Sequence, residues 1–300
     1  MDISKIKPYV LPVAMTVGAL FHQWIGRAAP LMPYLIATML FITYCRIDMR
    51  RVRLSHFSLW LVAVQVLGGV GLYFILRDFQ SALAQAAMIC VLCPVATAAP
   101  VVTSMLGGNI ERVMVFSLVS NLVVAVVAPL MFAYIGASAD VDFLSDLWTI
   151  CTRVLPLLLL PLLTALLLQS ALPKVAATVA SHQSVSFYIW SVSLTIVVAR
   201  AFSFILTAPA SSVPLQIAIA AIALVTCLAQ FYVGRRIGSR YGDAVAGAQS
   251  LGQKNTILSL WMSLTFLTPL SSVGPAAYII WQNIINSVQI YRFTRNEQHI

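Results

Sequence analysis

The sequence predicts an all-α integral membrane protein in which residues 1–300 form one transmembrane domain. Hydrophobic residues make up 60% of the chain and charged residues 9%, and the mean hydropathy is +0.92. A soluble domain carries about 25% charged residues. The apolar residues form long runs, whereas the strands of a membrane barrel would alternate apolar and polar residues. Helices are therefore predicted, because lipid leaves only helices and closed barrels as spanning structures.

Ten apolar runs are predicted to cross the membrane, judged against a ~30 Å hydrocarbon core and a rise of 1.5 Å per residue. We number them spans 1 to 10 in chain order. The first two are the shortest, and spans 4 and 9 contain residues that should interrupt a helix. The spans cover residues 8–24, 32–44, 57–76, 82–106, 113–134, 148–168, 185–206, 215–233, 244–266 and 274–290.

The basic residues between these spans predict the orientation. With the N-terminus inside, one side collects Lys5, Lys7, Arg46, Arg50, Arg51, Arg53, Arg112, Lys174, Arg235, Arg236, Arg240, Arg292 and Arg295, and the other only Arg27, Arg77 and Arg153. Lys and Arg are retained in cytoplasmic loops, so both termini are predicted in the cytoplasm. The net charge of +9 then follows from topology and gives no reason to expect nucleic acid as a partner.

Spans 4 and 9 are predicted to break near their middles. Span 4 contains Pro94 and Pro100, and proline inside a helix removes a backbone donor and clashes with the preceding turn. Span 9 contains the polar stretch 250–256, in which Gly252 is followed by Gln253, Lys254 and Asn255. Polar residues at that depth indicate irregular backbone that faces a cavity or other protein groups.

The positions of the two breaks predict two inverted five-span repeats, about 1–138 and 139–300. Each break falls in the fourth span of its half, and an odd number of spans makes the second half enter the membrane in the opposite direction. Where two broken helices cross, N-terminal ends offer N–H groups to an anion and C-terminal ends offer carbonyls to a cation. This arrangement suits a small organic anion accompanied by a cation.

Three segments carry a family resemblance: Cys93-Pro94 through Gly108-Asn109, Gly252 through Asn255, and Trp281-Gln282-Asn283. There the chain resembles the bile acid:sodium symporter family, ten-helix carriers whose broken helices 4 and 9 cross. The resemblance implies a multi-pass carrier of a bacterial inner (plasma) membrane. It also implies substrate contacts at Thr97, Asn255, Gln282 and Asn283, and backbone of the crossover at Pro94, Pro100 and Gly252.

The residues implied for sodium differ from the family pattern. At the first site the chain has Ala99 and Pro100 for Ser-Asn, Val113 and Ser117 on span 5, and Ser250 for a Glu. A hard cation prefers several oxygens including a carboxylate, so sodium binding is not expected there, and no other metal or cofactor is expected either.

The second sodium site of the family implies the coupling residues Gln65, Gln253 and Lys254. Lys254 stands where the family has a Gln, and its ammonium is expected to replace sodium as a tethered cation that donates to carbonyls and to Gln65. No carboxylate lies within a span to pair with it. Lys254 is either permanently charged or a proton-coupling group; alternatively it is the counter-ion of the substrate, or it snorkels to water.

Some conspicuous residues have simpler interpretations. The C-x-x-C of Cys90 and Cys93 lacks a second pair and is interpreted as packing. Aromatic residues near span ends, such as Trp24, Trp60 and Tyr278, fit interfacial belts. Asn121 either serves the site or ties helices together by a hydrogen bond.

The function predicted is secondary-active transport of a small organic anion by alternating access, without sodium. Alternatives are a sodium-coupled anion symporter, a carrier like the auxin efflux proteins or arsenite permeases, and a channel. An intramembrane enzyme is not expected, because its catalytic groups would have to share one depth. The four histidines, His22, His56, His182 and His299, lie far apart near span ends or loops.

Overall fold

The computed structural model describes residues 3–47, 54–136, 142–207 and 209–297. The boundary between the predicted repeats, at residues 138 and 139, lies outside these ranges. So do four residues used above: Arg50, Arg51, Arg53 and His299.

The described residues form fourteen α-helices joined by short turns, three of them 3₁₀ turns. In chain order, α1 to α14 are Ile3–Leu20, His22–Ile25, Met32–Tyr44, His56–Leu76, Ser81–Leu92, Ala99–Met105, Ile110–Gly136, Phe143–Ala171, Pro173–Ser181, Gln183–Thr207, Val213–Arg240, Ala244–Gly252, Thr256–Phe266 and Val273–Glu297. The predicted all-α class is confirmed for the described part of the chain.

Within the ranges that the structure describes, six segments are long and apolar enough to cross a membrane: His22–Tyr44, His56–Leu76, Ile110–Gly136, Phe143–Ala171, Val185–Thr207 and Ala210–Arg240. Two shorter apolar helices, Ser81–Leu92 and Thr256–Phe266, belong to predicted spans 4 and 9. The chain is therefore a multi-pass membrane protein.

Two elements differ from the predicted spans. Span 1 is two helices, α1 and α2, because the chain turns at Phe21. The short helix α9, Pro173–Ser181, was not predicted; it follows Leu172, where Pro173 starts a new helix. Proline favours the first turn of a helix, since the missing N–H has no partner there in any case.

Contacts divide the chain into two compact units. Unit 1 comprises Met1–Asp48 and Thr152–Ser212, and unit 2 comprises Met49–Cys151 and Val213–Ile300. In unit 1, Gln169 Nε2 donates to the carbonyls of Tyr44 and Ile47 at 2.9 and 3.1 Å, so it caps the end of α3. All residues of the predicted site belong to unit 2.

In unit 2, helices α11 and α12 approach so closely that glycine is required at their contact. A Cβ on Gly247 would meet the carbonyl oxygen of Gly234, and would lie 2.7 Å from Cα of Gly238. Both neighbours are backbone atoms, which cannot rotate away as a side chain does. This contact fixes α12, and therefore the start of the second break, against α11.

Local caps set the helix ends next to the site. Asp243 precedes α12 and its Oδ1 accepts from Ala246 N at 2.8 Å, while its Oδ2 accepts from Asn109 N at 2.7 Å. Asn255 precedes α13 and its Oδ1 accepts from Leu258 N at 3.2 Å. Asp and Asn are favoured at this position because they satisfy N–H groups that have no intrahelical partner.

Candidate transport site at two helix breaks

The first break separates α5 from α6. Helix α5 ends at Leu92, and Cys93 has an extended ψ of 148°. Pro94 lies within the break, whereas Pro100 lies in the first turn of α6, which begins at Ala99. The chain is thus non-helical only up to Ala98, and Pro100 starts the second half-helix instead of adding a further kink.

The second break separates α12 from α13. Helix α12 ends at Gly252, Gln253 is extended with φ −88° and ψ 113°, and Asn255 caps α13. The glycine is needed because a Cβ at position 252 would run into the ring of Phe231. The close contact with α11 therefore requires glycine at position 252, which is the last residue of α12.

The two breaks hydrogen-bond to each other as a short antiparallel pair. Val95 and Lys254 form an antiparallel β-bridge. Ala96 N donates to Gln253 O at 3.1 Å, and Asn255 N donates to Pro94 O at 2.8 Å. Backbone groups that the interrupted helices cannot use are thereby paired across the site, as burial in a membrane requires.

Side chains complete the last turn of α5. The last intrahelical bond is Cys93 N to Ile89 O, which leaves the next four carbonyls without intrahelical donors. Gln230 Nε2 donates to Cys90 O at 3.2 Å, and Lys254 Nζ donates to Val91 O at 2.8 Å. Gln65 Nε2 donates to Leu92 O at 2.6 Å and to Cys93 O at 3.2 Å. The amino group of one lysine and the amides of two glutamines thus meet the negative end of the α5 dipole.

Lys254 is fully enclosed, with 1% of its surface exposed. Its backbone N–H donates to Gln282 Oε1 at 3.0 Å, and its ammonium donates to Val91 O. Within the described residues it has no carboxylate within ion-pair distance. In this structure the side chain ends against Val91 O instead of extending to the surface.

Gln65 lies beside Lys254 but is not bonded to it, so the expected contact between them is wrong. Besides donating to α5, Gln65 accepts from Ser120 Oγ at 2.9 Å through Oε1. Its amide is therefore engaged at both ends. The physical reason is that Lys254 and Gln65 are both donors toward successive carbonyls of one helix end, and they share that end instead of pairing.

A polar line runs from the second break along α12 to α14. Gln253 Nε2 donates to Gln249 Oε1 at 2.5 Å, and Gln249 Nε2 donates to Gln289 Oε1 at 2.7 Å. Gln282, Asn286 and Gln289 share one face of α14, since they are four and three residues apart. Asn286 Oδ1 is buried without a partner between them.

The residues expected to contact substrate are partly brought together. Asn255 and Gln282 both lie at the second break, where Asn255 caps α13 and Gln282 holds the backbone of Lys254. Thr97 is half-buried and follows the bridged segment of the first break. Asn283 donates to Ile279 O of its own helix at 2.7 Å, so its amide nitrogen is used locally.

The residues implied for the first sodium site lie in apolar surroundings. Ala99 and Val113 belong to a buried cluster with Phe57, Leu61, Val95, Phe116, Ala246 and Leu251. Asn121 Nδ2 donates to Ser117 O at 2.7 Å, so the side chain of Asn121 hydrogen-bonds within its own helix, α7. Ser250 Oγ and Asn121 Oδ1 are buried without partners. Ser250 and Asn121 thus keep free oxygens, whereas Ala99 and Val113 contribute only apolar side chains.

Gln230 and Tyr278 connect the two breaks, and sequence reasoning missed this role. Tyr278 OH donates to Gly252 O at 2.8 Å and lies 3.0 Å from Gln230 Nε2, which also reaches Cys90 O. The ends of α5 and α12 are thereby joined through two side chains. Tyr278 is 0% exposed, so its assignment to an interfacial belt is wrong. The available signal was Gln230 deep within the apolar run of span 8, whereas the other glutamine of that run, Gln216, lies at its start.

Replacing Tyr278 with Phe is expected to lower the free energy of unfolding by about 1–3 kcal/mol, because Gly252 O and the Gln230 amide lose a buried partner. Thermal unfolding in detergent measures the effect. Tyr291→Phe is the matched control, since Tyr291 lies on the same helix and is 66% exposed. Equal stability of the two variants would contradict a bridging role for Tyr278.

Searches of protein-family models and of curated proteins both give no match.

Proposed function

We propose that the protein is a secondary-active transporter of a small organic anion that works by alternating access without sodium. The observation that carries the proposal is the buried ammonium of Lys254, which donates to Val91 O at the C-terminal end of α5 where the two breaks pair. Interrupted helices that meet inside a membrane protein are typical of transport sites. The resemblance to the bile acid:sodium symporter family is consistent with this reading.

The proposal includes ten spans in two inverted five-span repeats with crossing fourth spans. Its support is the place of the breaks, each in the fourth span of its half, and their antiparallel bridge. The division into compact units adds to it. Each unit combines an early part of the chain with a later one. Unit 1 contains spans 1 and 2 together with their counterparts in the second half, spans 6 and 7. Unit 2 contains spans 3, 4 and 5 together with their counterparts, spans 8, 9 and 10.

Lys254 is proposed to stand in for a bound cation. A cation at a helix C-terminus is favoured by the dipole, and a carbonyl is the kind of ligand that a sodium ion would take. The charge is tethered to the chain, so it need not be drawn from solution in each cycle. A charged lysine at mid-membrane costs about 2.5–3.5 kcal/mol on insertion scales, which the bond to Val91 O partly offsets.

The substrate is proposed to be an anion held by neutral donors next to that charge. Thr97, Asn255 and Gln282 supply hydroxyl and amide groups at the breaks. In this arrangement Lys254 is also the nearest cation for a carboxylate, and a proton is the coupling ion if the lysine titrates. The proposal places the protein in a bacterial inner membrane with both termini in the cytoplasm. It includes no cofactor, no catalysis and no nucleic acid.

A sodium-coupled symporter is the second candidate, and one observation favours it. Among the described residues, four buried oxygens lack hydrogen-bond partners: Asn121 Oδ1, Gln230 Oε1, Ser250 Oγ and Asn286 Oδ1. Unpaired acceptors suit a cation as well as the hydroxyl or amide donors of a substrate. The absence of a carboxylate beside them makes a sodium site weaker than the tethered lysine.

Uptake by proteoliposomes tests the proposal. Radiolabelled small carboxylates are offered with a sodium gradient alone, with a proton gradient alone and with neither, alongside protein-free liposomes. We expect uptake of at least one carboxylate in sodium-free buffer. Accumulation that requires a sodium gradient would select the second candidate, and uptake of arsenite or of an uncharged weak acid in place of carboxylates would point to the other carrier classes.

A further inference from the structure

A cavity of about 320 Å³ lies at the end of unit 2 where α4 and α7 begin and α11 ends. It is remote in sequence from both breaks. Its walls include Leu54, His56, Phe57, Leu59, Arg112 and Tyr241. A volume of this size is within the range that holds small ligands or their head groups.

Arg112 is the charged group in the cavity wall, and most of its donors are unused. Its Nη1 donates to Tyr241 O at 2.6 Å, and its guanidinium carbon lies 5.7 Å from the ring centre of Phe57. These two contacts hold the planar group in one orientation. It makes no ion pair within the described parts of the chain. A fixed, unpaired guanidinium with free N–H groups favours a phosphate or carboxylate, which it can bind with two parallel hydrogen bonds.

Part of the cavity lining is apolar and exposed. Leu54 is 66% exposed and Leu59 is 51% exposed, and Trp60, the next residue along α4, is 59% exposed. Exposed apolar side chains of this kind suit contact with lipid acyl chains. The cavity thus offers a cation on one side and an acyl-chain surface on the other, a combination that matches one molecule, an anionic phospholipid.

We propose that this cavity binds the phosphate head group of an anionic phospholipid on Arg112, with the adjacent acyl chain on Leu54 and Leu59. Basic pockets between helix ends are known to take lipid head groups. The proposal uses none of the hydrogen bonds at the helix breaks, so the inference does not depend on the transport proposal. A soluble phosphate compound is the alternative source of the same chemistry, and it would not need the two leucines.

Native mass spectrometry of the detergent-purified protein tests the site by titration with phosphatidylglycerol, with phosphatidylcholine of the same chains, and with inorganic phosphate. We expect tighter binding of phosphatidylglycerol than of phosphatidylcholine. Arg112→Gln should weaken phosphatidylglycerol binding about tenfold or more, as the loss of charged hydrogen bonds predicts. Arg235→Gln removes the same charge from an exposed position on α11 and should change binding by less than about twofold, because exposed charges are screened.

A second pair of variants covers the case in which Arg112→Gln does not fold. Leu54→Glu puts a negative charge at the exposed rim of the cavity, and Leu54→Gln has the same size without the charge. We expect phosphatidylglycerol binding to fall in both variants, because both lose the apolar contact of Leu54, and to fall clearly further in Leu54→Glu, which also places a negative charge beside the phosphate. Equal binding by both Leu54 variants, equal affinity for the two lipids, or saturation of the Arg112-dependent site by inorganic phosphate alone would each overturn the proposal.

Discussion

Replacing Lys254 with Gln is expected to lower uptake of the proposed anion at least about tenfold, the effect expected when a buried hydrogen bond loses its charge. Glutamine is uncharged and its side chain keeps an N–H donor, so the substitution removes the charge and retains a polar donor at this position. If the ammonium takes the place of a bound cation, the remaining amide cannot supply that role. The measurement is the initial rate of uptake in sodium-free proteoliposomes, normalised to the amount of reconstituted protein.

The control for this variant is Lys174→Gln. Lys174 lies on α9 and is exposed, so the net charge of the chain changes by the same amount without touching the breaks. We expect wild-type uptake from it. Uptake by Lys254→Gln at the wild-type rate, from protein that elutes as a single folded species, would show that the charge at the end of α5 is not needed.

Gly247→Ala is expected to destabilise the protein by about 1–3 kcal/mol, the usual cost of forcing an extra methyl group into a packed contact. The added Cβ meets the backbone of Gly234 and Gly238, which is part of α11 and cannot move without separating the two helices. Since α12 leads directly into the second break, the separation also shifts Gly252 away from Phe231. Thermal unfolding in detergent measures the loss of stability, and uptake is expected to fall with it.

Gly71→Ala gives the matched comparison. Gly71 lies within α4, also in unit 2, and nothing lies within 4 Å of the position that its Cβ would take. There the alanine should raise stability by about 0.5–1 kcal/mol, because glycine is the weaker helix former. Similar unfolding temperatures for the two variants would mean that α11 and α12 are not in the close contact described above.

Apolar composition predicted the helices well where the chain needs only to cross lipid. Residues 32–44 and 57–76 were predicted as spans, and the helices are Met32–Tyr44 and His56–Leu76. In a long apolar run, every residue contributes to the prediction of a membrane-spanning helix. The turn at Phe21 and the separate helix α9 have no comparable signal, because they depend on local backbone geometry at one or two residues.

The breaks themselves were predictable, but most of their partners were not. Pro94 and the polar residues after Gly252 signal irregular backbone in lipid. Nothing in the sequence says that Gln65 uses both ends of its amide on Leu92, Cys93 and Ser120. Tyr278 likewise looks like any aromatic residue of a transmembrane helix until its hydroxyl is located against Gly252 O. Residue type predicts which groups need partners, whereas the choice of partner depends on packing.

The carbonyls at the end of α5 have a consequence for biosynthesis. Gln230 follows its partner Cys90 by 140 residues, and Lys254 follows Val91 by 163. At a synthesis rate of about 5–20 residues per second, several seconds to roughly half a minute pass before these donors leave the ribosome. An unpaired carbonyl in hydrocarbon costs several kcal/mol, so α5 cannot settle among lipid tails during that time. We expect the nascent chain to keep this helix end in contact with water, at the insertion machinery or in a hydrated cleft, until α11 and the second break arrive.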